Sequence, residues 1–459
     1  MVFEPDTLRQ FGYKQELRRS LSFPDLLFYG LIFMVPIAPF GIFGNVFQTS
    51  GGMVVLAYAI GMVAMVFTAA SYAQMVKAFP MAGSVYTYAG RGIAPPVGFV
   101  AGWMVLLDYI LVPSLLYLVA GSAMTTFVPG VPVWVWLVVF LAFNTTVNFF
   151  GIKLTAITTR ILLIGELIVL AIFLAVGLYG VATGKAHGDP LTPLYNGHTF
   201  SGSVVFGAVS VAALSFLGFD GISMLAEEHR GEARQVGRAV IGALVLAGLL
   251  FMAQTWVASM YVSSPHAVAS NVDNAFYDTA KAAGGPWLST LTAVTTAIAW
   301  GFADSLVAQV ATSRLLFAMG RDGQFPKFLA RVSPKRMVPT NAIFLTALLT
   351  LAVGLYMSTR ANGIALLSSL INVGALTAFL LLHVSVVVYY LIRQRSKRIL
   401  PHLVVPVIGA ALLAVVEIFA DHSAQILGIV WLGLGLIVLA SLYVLGRRPT
   451  VPSLAEETA

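Results

Sequence analysis

The sequence has 459 residues, of which 59% are hydrophobic and only 10% are charged, whereas a soluble domain carries about 25% charged residues. Together with a mean hydropathy of +0.89, this composition excludes a chain of tandem soluble domains and indicates a membrane protein. The chain contains no cysteine, which excludes disulfides and thiolate metal sites and is compatible with a bacterial inner membrane.

Twelve apolar segments follow one another along the chain, each long enough to cross a ~30 Å hydrocarbon core, which takes about 20 helical residues. Turn signals such as Gly51-Gly52 separate segments that would otherwise merge. Residues 264–286 are too polar to span, and a short surface helix is predicted near residues 273–282. The predicted spans are residues 23–47, 52–76, 97–126, 132–150, 156–180, 201–228, 236–262, 287–320, 339–357, 362–392, 401–420 and 424–446.

These spans divide the chain into four predicted parts. Residues 1–22 form an N-terminal tail, residues 23–392 a core of ten helices, residues 393–446 helices eleven and twelve, and residues 447–459 a C-terminal tail. The N-terminal tail is basic, but no small-residue cleavage site follows it, so no removable signal peptide is expected.

The lysine and arginine residues fall mainly in the loops on one side of the predicted spans. If the N-terminus is cytoplasmic, only three of the 26 basic residues face the opposite side, namely Lys185, Lys281 and Arg360. Cytoplasmic loops carry such an excess of positive charge, so both termini are predicted to be cytoplasmic in a multi-pass inner-membrane protein. A basic face against anionic lipid explains the net charge of +7 without a nucleic-acid partner.

The first and sixth spans are interrupted by residues that break helices. The first contains PIAPFGIFG at 36–44, whose prolines lack N–H donors. The sixth contains SFLGFDG at 215–221, in which glycines flank an acid. If spans 1–5 and 6–10 are two repeats, the breaks correspond, and paired broken helices are the best sequence indication of a transporter's binding site. Free N–H groups at a break attract an anion, and free carbonyls attract a cation.

Five acidic residues lie inside or near the predicted spans. Placing an acidic side chain at the centre of a membrane helix costs at least ~2.5 kcal/mol of insertion free energy. Glu417 lies close to Asp421 and His422 at a span end, which predicts a solvated structural residue. An unpaired buried carboxyl either binds a cation or takes up a proton, although an interhelical hydrogen bond is the alternative. This choice applies to the remaining four acids: Asp108, Glu166, Asp220 and Asp304.

Motifs for ATP hydrolysis and membrane catalysis are missing from the sequence. It contains no G-x-x-x-x-G-K-[ST] loop, which argues against an ATP-driven pump. It also lacks H-E-x-x-H and G-x-S-x-G, which argues against a membrane hydrolase. His383 lies within the tenth span and is assigned no functional role. We therefore expect neither an enzyme nor a cofactor.

Three stretches of the sequence carry a resemblance to a known family. They are Phe79–Tyr88 (FPMAGSVYTY), Ser215–Asp220 (SFLGFD) and Ser313–Gly323 (SRLLFAMGRDG), the last followed by Phe325-Pro326-Lys327. Over essentially its whole length the chain resembles the amino acid–polyamine–organocation permeases. Gly102-Trp103 and Leu106–Tyr109 are most similar to the branch of proton-coupled putrescine importers.

The resemblance implies an all-α membrane fold of about twelve helices, built as a five-plus-five inverted repeat of the LeuT-like type with alternating access. It also implies that substrate binds between the breaks of helices one and six, with Phe216 as an aromatic lid. The implied substrate-binding residues are Gly41, Ile42, Phe43, Tyr109, Phe216, Gly218, Phe219 and Asp220.

The sequence also departs from the pattern of the putrescine importers. They carry an acid where this chain has Gly41, and Phe40–Phe43 is more similar to the Ser-Gly-Ile-Phe of amino acid permeases, whose glycine N–H groups take a carboxylate. A zwitterion or monoamine is therefore favoured over a diamine. Glu166 stands where many relatives have lysine, and Asp304-Ser305 resembles a sodium-binding pair of more distant relatives.

The sequence thus predicts a secondary transporter that imports an amino acid or a small amine or polyamine by cation symport. A proton is the preferred coupling ion and sodium the alternative, with Asp108, Glu166, Asp304 and Ser305 as the ion-coupling residues. An exchanger on the same fold remains open, and no filter repeat indicates a channel. A solute-sensing role is the other open alternative, and the predicted assembly is a monomer or weak homodimer.

Overall fold

A computed structural model describes residues 19, 21–81, 84–128, 130–150, 152–333, 336, 338–360, 363–446 and 449. This part of the chain is helical and contains no β-strand. In chain order the helices are α1 (Phe23–Met34), α2 (Ala38–Thr49), α3 (Val54–Ala78), α4 (Ser84–Gly92), α5 (Pro95–Phe127), α6 (Val133–Phe150), α7 (Ile152–Ala182), α8 (Gly202–Ala212), α9 (Gly221–Met224), α10 (Ala233–Ser259), α11 (Pro265–Ser270), α12 (Ala275–Gly284), α13 (Pro286–Ile298), α14 (Ser305–Arg321), α15 (Thr340–Ser358), α16 (Gly363–Val387), α17 (Val405–Ile418) and α18 (His422–Val444).

The described residues include eleven helices long and apolar enough to cross a membrane, and the bent pair α1–α2 brings the number to twelve. This confirms the predicted all-α membrane fold of about twelve helices. The sixth span joins α8 and α9, and the eighth joins α13 and α14 through a π-helical segment, Ala299–Asp304. The polar stretch between the seventh and eighth spans holds α11 and α12, so the short helix predicted there is confirmed.

The first span is bent by 47° between α1 and α2. Val35 has a φ of 51° at the end of α1, and the two following prolines interrupt the helical hydrogen-bond pattern. In the sixth span, α8 tightens into the 3-10 turn Ala213–Phe216, and Leu217 is then extended. Gly218 follows with a φ of +109°, a conformation that favours glycine. Both predicted interruptions are therefore present.

The third span forms the centre of the bundle and the twelfth lies at its edge. In their most apolar stretches, 89% of α5 and 11% of α18 are buried within the protein. Two indoles join these helices reciprocally, because Trp103 Nε1 donates to the Trp431 carbonyl at 2.8 Å and Trp431 Nε1 donates to the Trp103 carbonyl at 2.9 Å. The edge of the bundle is thus attached to its core by paired hydrogen bonds.

Buried polar side chains also link helices away from the breaks. The ring of His383 on α16 lies 2.9 Å from the Ser71 hydroxyl and 3.2 Å from the Thr68 hydroxyl, both on α3. The Thr377 hydroxyl donates to a Glu417 carboxyl oxygen at 2.6 Å, between α16 and α17. Glu417 is therefore hydrogen-bonded at the helix interface rather than simply solvated at a span end.

A short backbone pairing ties the segment before the first span to the segment after the sixth. Leu21 N donates to the Glu228 carbonyl at 3.0 Å, and Arg230 N donates to the Leu21 carbonyl at 3.0 Å. The ring of His229 adds a side-chain contact to this pairing, with Nδ1 3.0 Å from the Leu21 carbonyl oxygen. We call residues 21 and 22 the N-terminal strap. It connects the two broken spans at one end of the bundle.

Candidate functional site

A cavity of about 80 Å³ lies at the level of the two breaks, between the first, third, sixth and eighth spans. We call it the central cavity. Most of its wall is apolar, with Ile42 from α2 and Leu115 from α5 as examples. A small, mostly apolar cavity where broken helices meet matches the general form of a solute-binding site.

The carboxyl of Asp220 lies in this wall and accepts two side-chain hydrogen bonds. Gly218 allows the sharp turn that precedes it, and the Tyr109 hydroxyl donates to Asp220 Oδ2 at 2.8 Å. The Ser84 hydroxyl donates to the same oxygen at 3.3 Å, and lies 3.0 Å from the Tyr72 hydroxyl. Two donors hold the carboxylate in a fixed orientation, which prepares it to meet a cationic group without further rearrangement.

Two more carboxyls reach the same cavity. Asp108 comes from α5, and Asp304 comes from the last residue of the π-helical segment. Asp304 is 4% exposed, and neither of its carboxyl oxygens has a hydrogen-bond partner among the described residues. No described lysine, arginine or histidine lines the cavity. Three acids without a basic counterpart make the wall suited to a positively charged solute.

The helix ends around the cavity add to this negative character. The C-terminal end of α1 lines it through Phe33, Met34 and Val35, and the 3-10 turn after α8 lines it through Leu214 and Ser215. Helix C-termini carry a partial negative charge from unpaired carbonyl groups. Both ends therefore favour a cation at the centre.

The N-terminal end of α2 offers little to an anion. Ala38 N donates to the Val35 carbonyl at 2.8 Å, and Phe40 N donates to the Ile37 carbonyl at 2.8 Å. Pro39, between them, has no N–H group. The first three residues of α2 thus present no free donor for a substrate carboxylate. The sequence favoured a zwitterion or a monoamine, and these three residues offer no donor for the carboxylate of a zwitterion.

Half of the residues predicted for the site line the central cavity. They are Ile42, Asp108, Tyr109, Gly218, Asp220 and Asp304. Gly41 lies behind the indole of Trp300 and lines a smaller second cavity instead. Gly41 was predicted to bind a substrate carboxylate, but here the Trp300 indole separates it from the central cavity.

Three predicted aromatic residues are packed elsewhere. Phe43 lies against Phe47 and Phe276, with ring centroids 5.7 and 6.0 Å away. Phe216, expected as a lid, packs against Tyr58 at 6.1 Å and against Phe251 at 5.3 Å. The 3-10 turn thus directs this side chain toward α3 and α10, and it does not line the central cavity.

Phe219 likewise faces away from the cavity. Its ring lies 5.7 Å from that of Tyr72 and 5.5 Å from that of Phe379. These two neighbours belong to α3 and α16, respectively. Phe219 thus packs the break of the sixth span against α3 and α16.

Glu166 and Ser305 lie outside the cavity wall but beside Asp304. Glu166 is 2% exposed, its Oε2 has no described hydrogen-bond partner, and its carboxyl interacts electrostatically with that of Asp304. The Ser305 hydroxyl donates to the Gly301 carbonyl at 2.9 Å and accepts from Asn144 Nδ2 at 2.8 Å. Among the described residues, no cluster of three or more acidic or histidine side chains could hold a metal ion.

Trp300 and Ser84 are the main residues that the sequence analysis missed. Ser84 belongs to the stretch Phe79–Tyr88 that carried the resemblance, so its position offered a signal. Trp300 is an aromatic residue within an apolar span, where nothing in the sequence distinguishes it from a lipid-facing or core side chain. The π-helical segment turns it toward the cavity.

Comparisons with known proteins agree with this architecture. A family model described as amino acid permease matches residues 25–428. The low-affinity putrescine importer PlaP of Escherichia coli (strain K12) is 33% identical over 450 residues, covering 95% of this chain and 96% of that protein. The branched-chain amino acid permease BcaP of Bacillus subtilis (strain 168) is 26% identical over 457 residues, covering 94% and 95%. The methylthioribose transporter of the same organism is 24% identical over 470 residues, with the same coverage.

Proposed function

The chain belongs to the amino acid permease family and is a transporter rather than an enzyme, and on that premise we propose that it imports a small linear amine by symport with a proton. The observation that carries this proposal is the set of three carboxyls, Asp108, Asp220 and Asp304, around one cavity without a basic side chain. A diamine suits this wall better than a zwitterion, because its two ammonium groups need two counter-charges and it brings no carboxylate.

The relatives support an organic solute of this kind. The putrescine importer is the most similar protein among those compared above. A branched-chain amino acid permease also matches almost the whole chain, so an amino acid is the second candidate. The occupied N–H groups at the start of α2 argue against it, since an amino acid brings a carboxylate that needs donors.

A proton is the proposed coupling ion. Glu166 and Asp304 are buried carboxyls that interact with each other and keep three oxygens without described hydrogen-bond partners. Two like charges in an apolar interior repel, so this pair is suited to share a proton. Sodium is the alternative, but Ser305, its second predicted ligand, already uses its hydroxyl in two hydrogen bonds.

The first test is uptake by the purified protein in proteoliposomes. Labelled putrescine, butylamine and leucine would be offered under an imposed proton gradient and, separately, under a sodium gradient. We expect putrescine uptake that needs the proton gradient. Uptake of leucine alone would overturn the amine proposal, and a strict need for sodium would overturn the proposed coupling ion.

Asp220 provides a test at the level of the site. We expect Asp220→Asn to lower putrescine uptake at least about tenfold, because the amide removes the negative charge that meets the ammonium group of the substrate. A tenfold loss corresponds to ~1.4 kcal/mol of binding free energy. Glu417→Gln is the matched control, since this acid lies between α16 and α17, away from the cavity. Equal uptake by the two variants would remove Asp220 from the site.

A further inference from the structure

We propose that Trp300 sets the length of the amine that the transporter accepts, by separating the central cavity from a second cavity that could hold another ammonium group. The inference rests on the proposed function, since it concerns the same substrate class. Removal of the indole should admit linear triamines.

Trp300 lies between two cavities. Its side chain lines the central cavity and is 3% exposed. A Cβ placed on Gly41 would lie 2.9 Å from Trp300 Cη2 and 3.1 Å from Cζ2, so the indole edge is packed directly on the backbone of α2. Gly41 in turn lines the second cavity, of about 10 Å³. The indole edge and the α2 backbone at Gly41 therefore lie together between the two cavities and form the partition.

The second cavity is polar enough to receive a charged group. Its wall includes Ser122 from α5, Asp273 and Asn274 from the segment between α11 and α12, and Tyr277 from α12. Asp273 supplies a carboxyl on the far side of the partition from Asp220 and Asp304. A linear triamine has one more ammonium group than a diamine, and this carboxyl would be its counter-charge once the ring is gone.

The indole is held by packing rather than by a hydrogen bond. Its Nε1 is buried and has no acceptor among the described residues. Removing the side chain therefore leaves no partner group unsatisfied, and the main change is added space next to α2. The matched control is Trp136→Ala, because Trp136 also has a buried, unpartnered Nε1 but does not line either cavity.

Competition uptake in proteoliposomes tests the inference. Unlabelled spermidine, a linear triamine, would compete with labelled putrescine for the wild type, Trp300→Ala and Trp136→Ala. We expect the wild type and Trp136→Ala to prefer putrescine, and Trp300→Ala to shift the preference toward spermidine by about tenfold, within the range that added pocket space gives. Unchanged selectivity in an active Trp300→Ala variant would overturn the inference while leaving the proposed function intact.

A double-mutant cycle gives a second test that does not depend on Trp300→Ala being folded. Gly41→Ala should push the indole into the central cavity and weaken putrescine binding, whereas the same change on a Trp300→Leu background should have much less effect. Such non-additivity is expected of side chains in direct contact. Additive effects would overturn the partition. Absence of all amine transport by the wild type would instead reject the proposed function and the inference together.

Discussion

Two buried carboxyls in the same cavity differ in how they are supported. Asp220 accepts hydrogen bonds from Tyr109 and Ser84, whereas the oxygens of Asp304 have no described partner. Hydrogen bonds stabilise a carboxylate, and an unsupported carboxyl in an apolar interior gains by taking up a proton or a cation. In the proposed function, Asp220 therefore faces the substrate, and Asp304 and Glu166 share the coupled proton.

Glu166 offers a test of the proposed proton coupling that leaves the substrate site intact, because its carboxyl interacts with that of Asp304 but does not line the cavity. We expect Glu166→Gln to keep putrescine exchange across the membrane and to lose accumulation driven by a proton gradient. Counterflow and gradient-driven uptake in the same proteoliposomes would measure the two activities. Normal accumulation by this variant would remove Glu166 from coupling, and Glu417→Gln again serves as the matched control.

The sequence was informative about polar residues and much less so about aromatic ones. An acid such as Asp304 in an apolar span is costly, so its presence alone marked it as a candidate. Trp300 carries no such signal, and its direction depends on the π-helical segment, which changes the register of the helix. Phe216 was placed by resemblance, but the rotation of a 3-10 turn decides where a side chain points.

At the scale of the elements, the two breaks support each other. A Cβ on Gly218 would lie closer than 3.0 Å to the Phe33 carbonyl oxygen, so the sixth span touches the end of α1 at a glycine. The positive φ of this residue adds a second requirement for glycine. The sequence predicted both interruptions from proline and glycine, but their mutual contact depends on packing that no local pattern encodes.

Gly218→Ala should therefore disturb the site through its backbone. We expect a loss of stability of about 2 kcal/mol, typical of a left-handed conformation forced on a residue other than glycine, together with weakened putrescine binding. Thermal unfolding in detergent and ligand-induced stabilisation would measure both effects. Gly202→Ala, in the same span and with no atom within 4 Å of its added Cβ, should be near wild type. Equal melting temperatures would contradict the contact between the breaks.

At the scale of the whole molecule, the number and order of spans followed closely from hydropathy and turn residues. The third span was predicted at 97–126 and is Pro95–Phe127, and the twelfth was predicted at 424–446 and is His422–Val444. Long apolar helices leave little choice in lipid, because every backbone polar group must be paired within the segment. The five-plus-five repeat and the orientation in the membrane remain predictions.

The orientation can be measured directly because the chain has no cysteine. With cytoplasmic termini, His198 lies on the outer side and Lys397 on the inner side, and both are exposed. We expect a membrane-impermeant maleimide to label His198→Cys in intact cells and Lys397→Cys only after permeabilisation. The reverse pattern would invert the predicted topology.

The N-terminal strap has a practical consequence for the design of fusion proteins. Because Leu21 is paired with Glu228 and Arg230, a domain joined rigidly just before residue 21 would be mechanically connected to both broken spans at once. If substrate binding moves these spans, as the proposed function implies, a fluorescent protein attached there through a helical linker would report the movement as a change of emission. The transporter would then act as a biosensor for its own substrate.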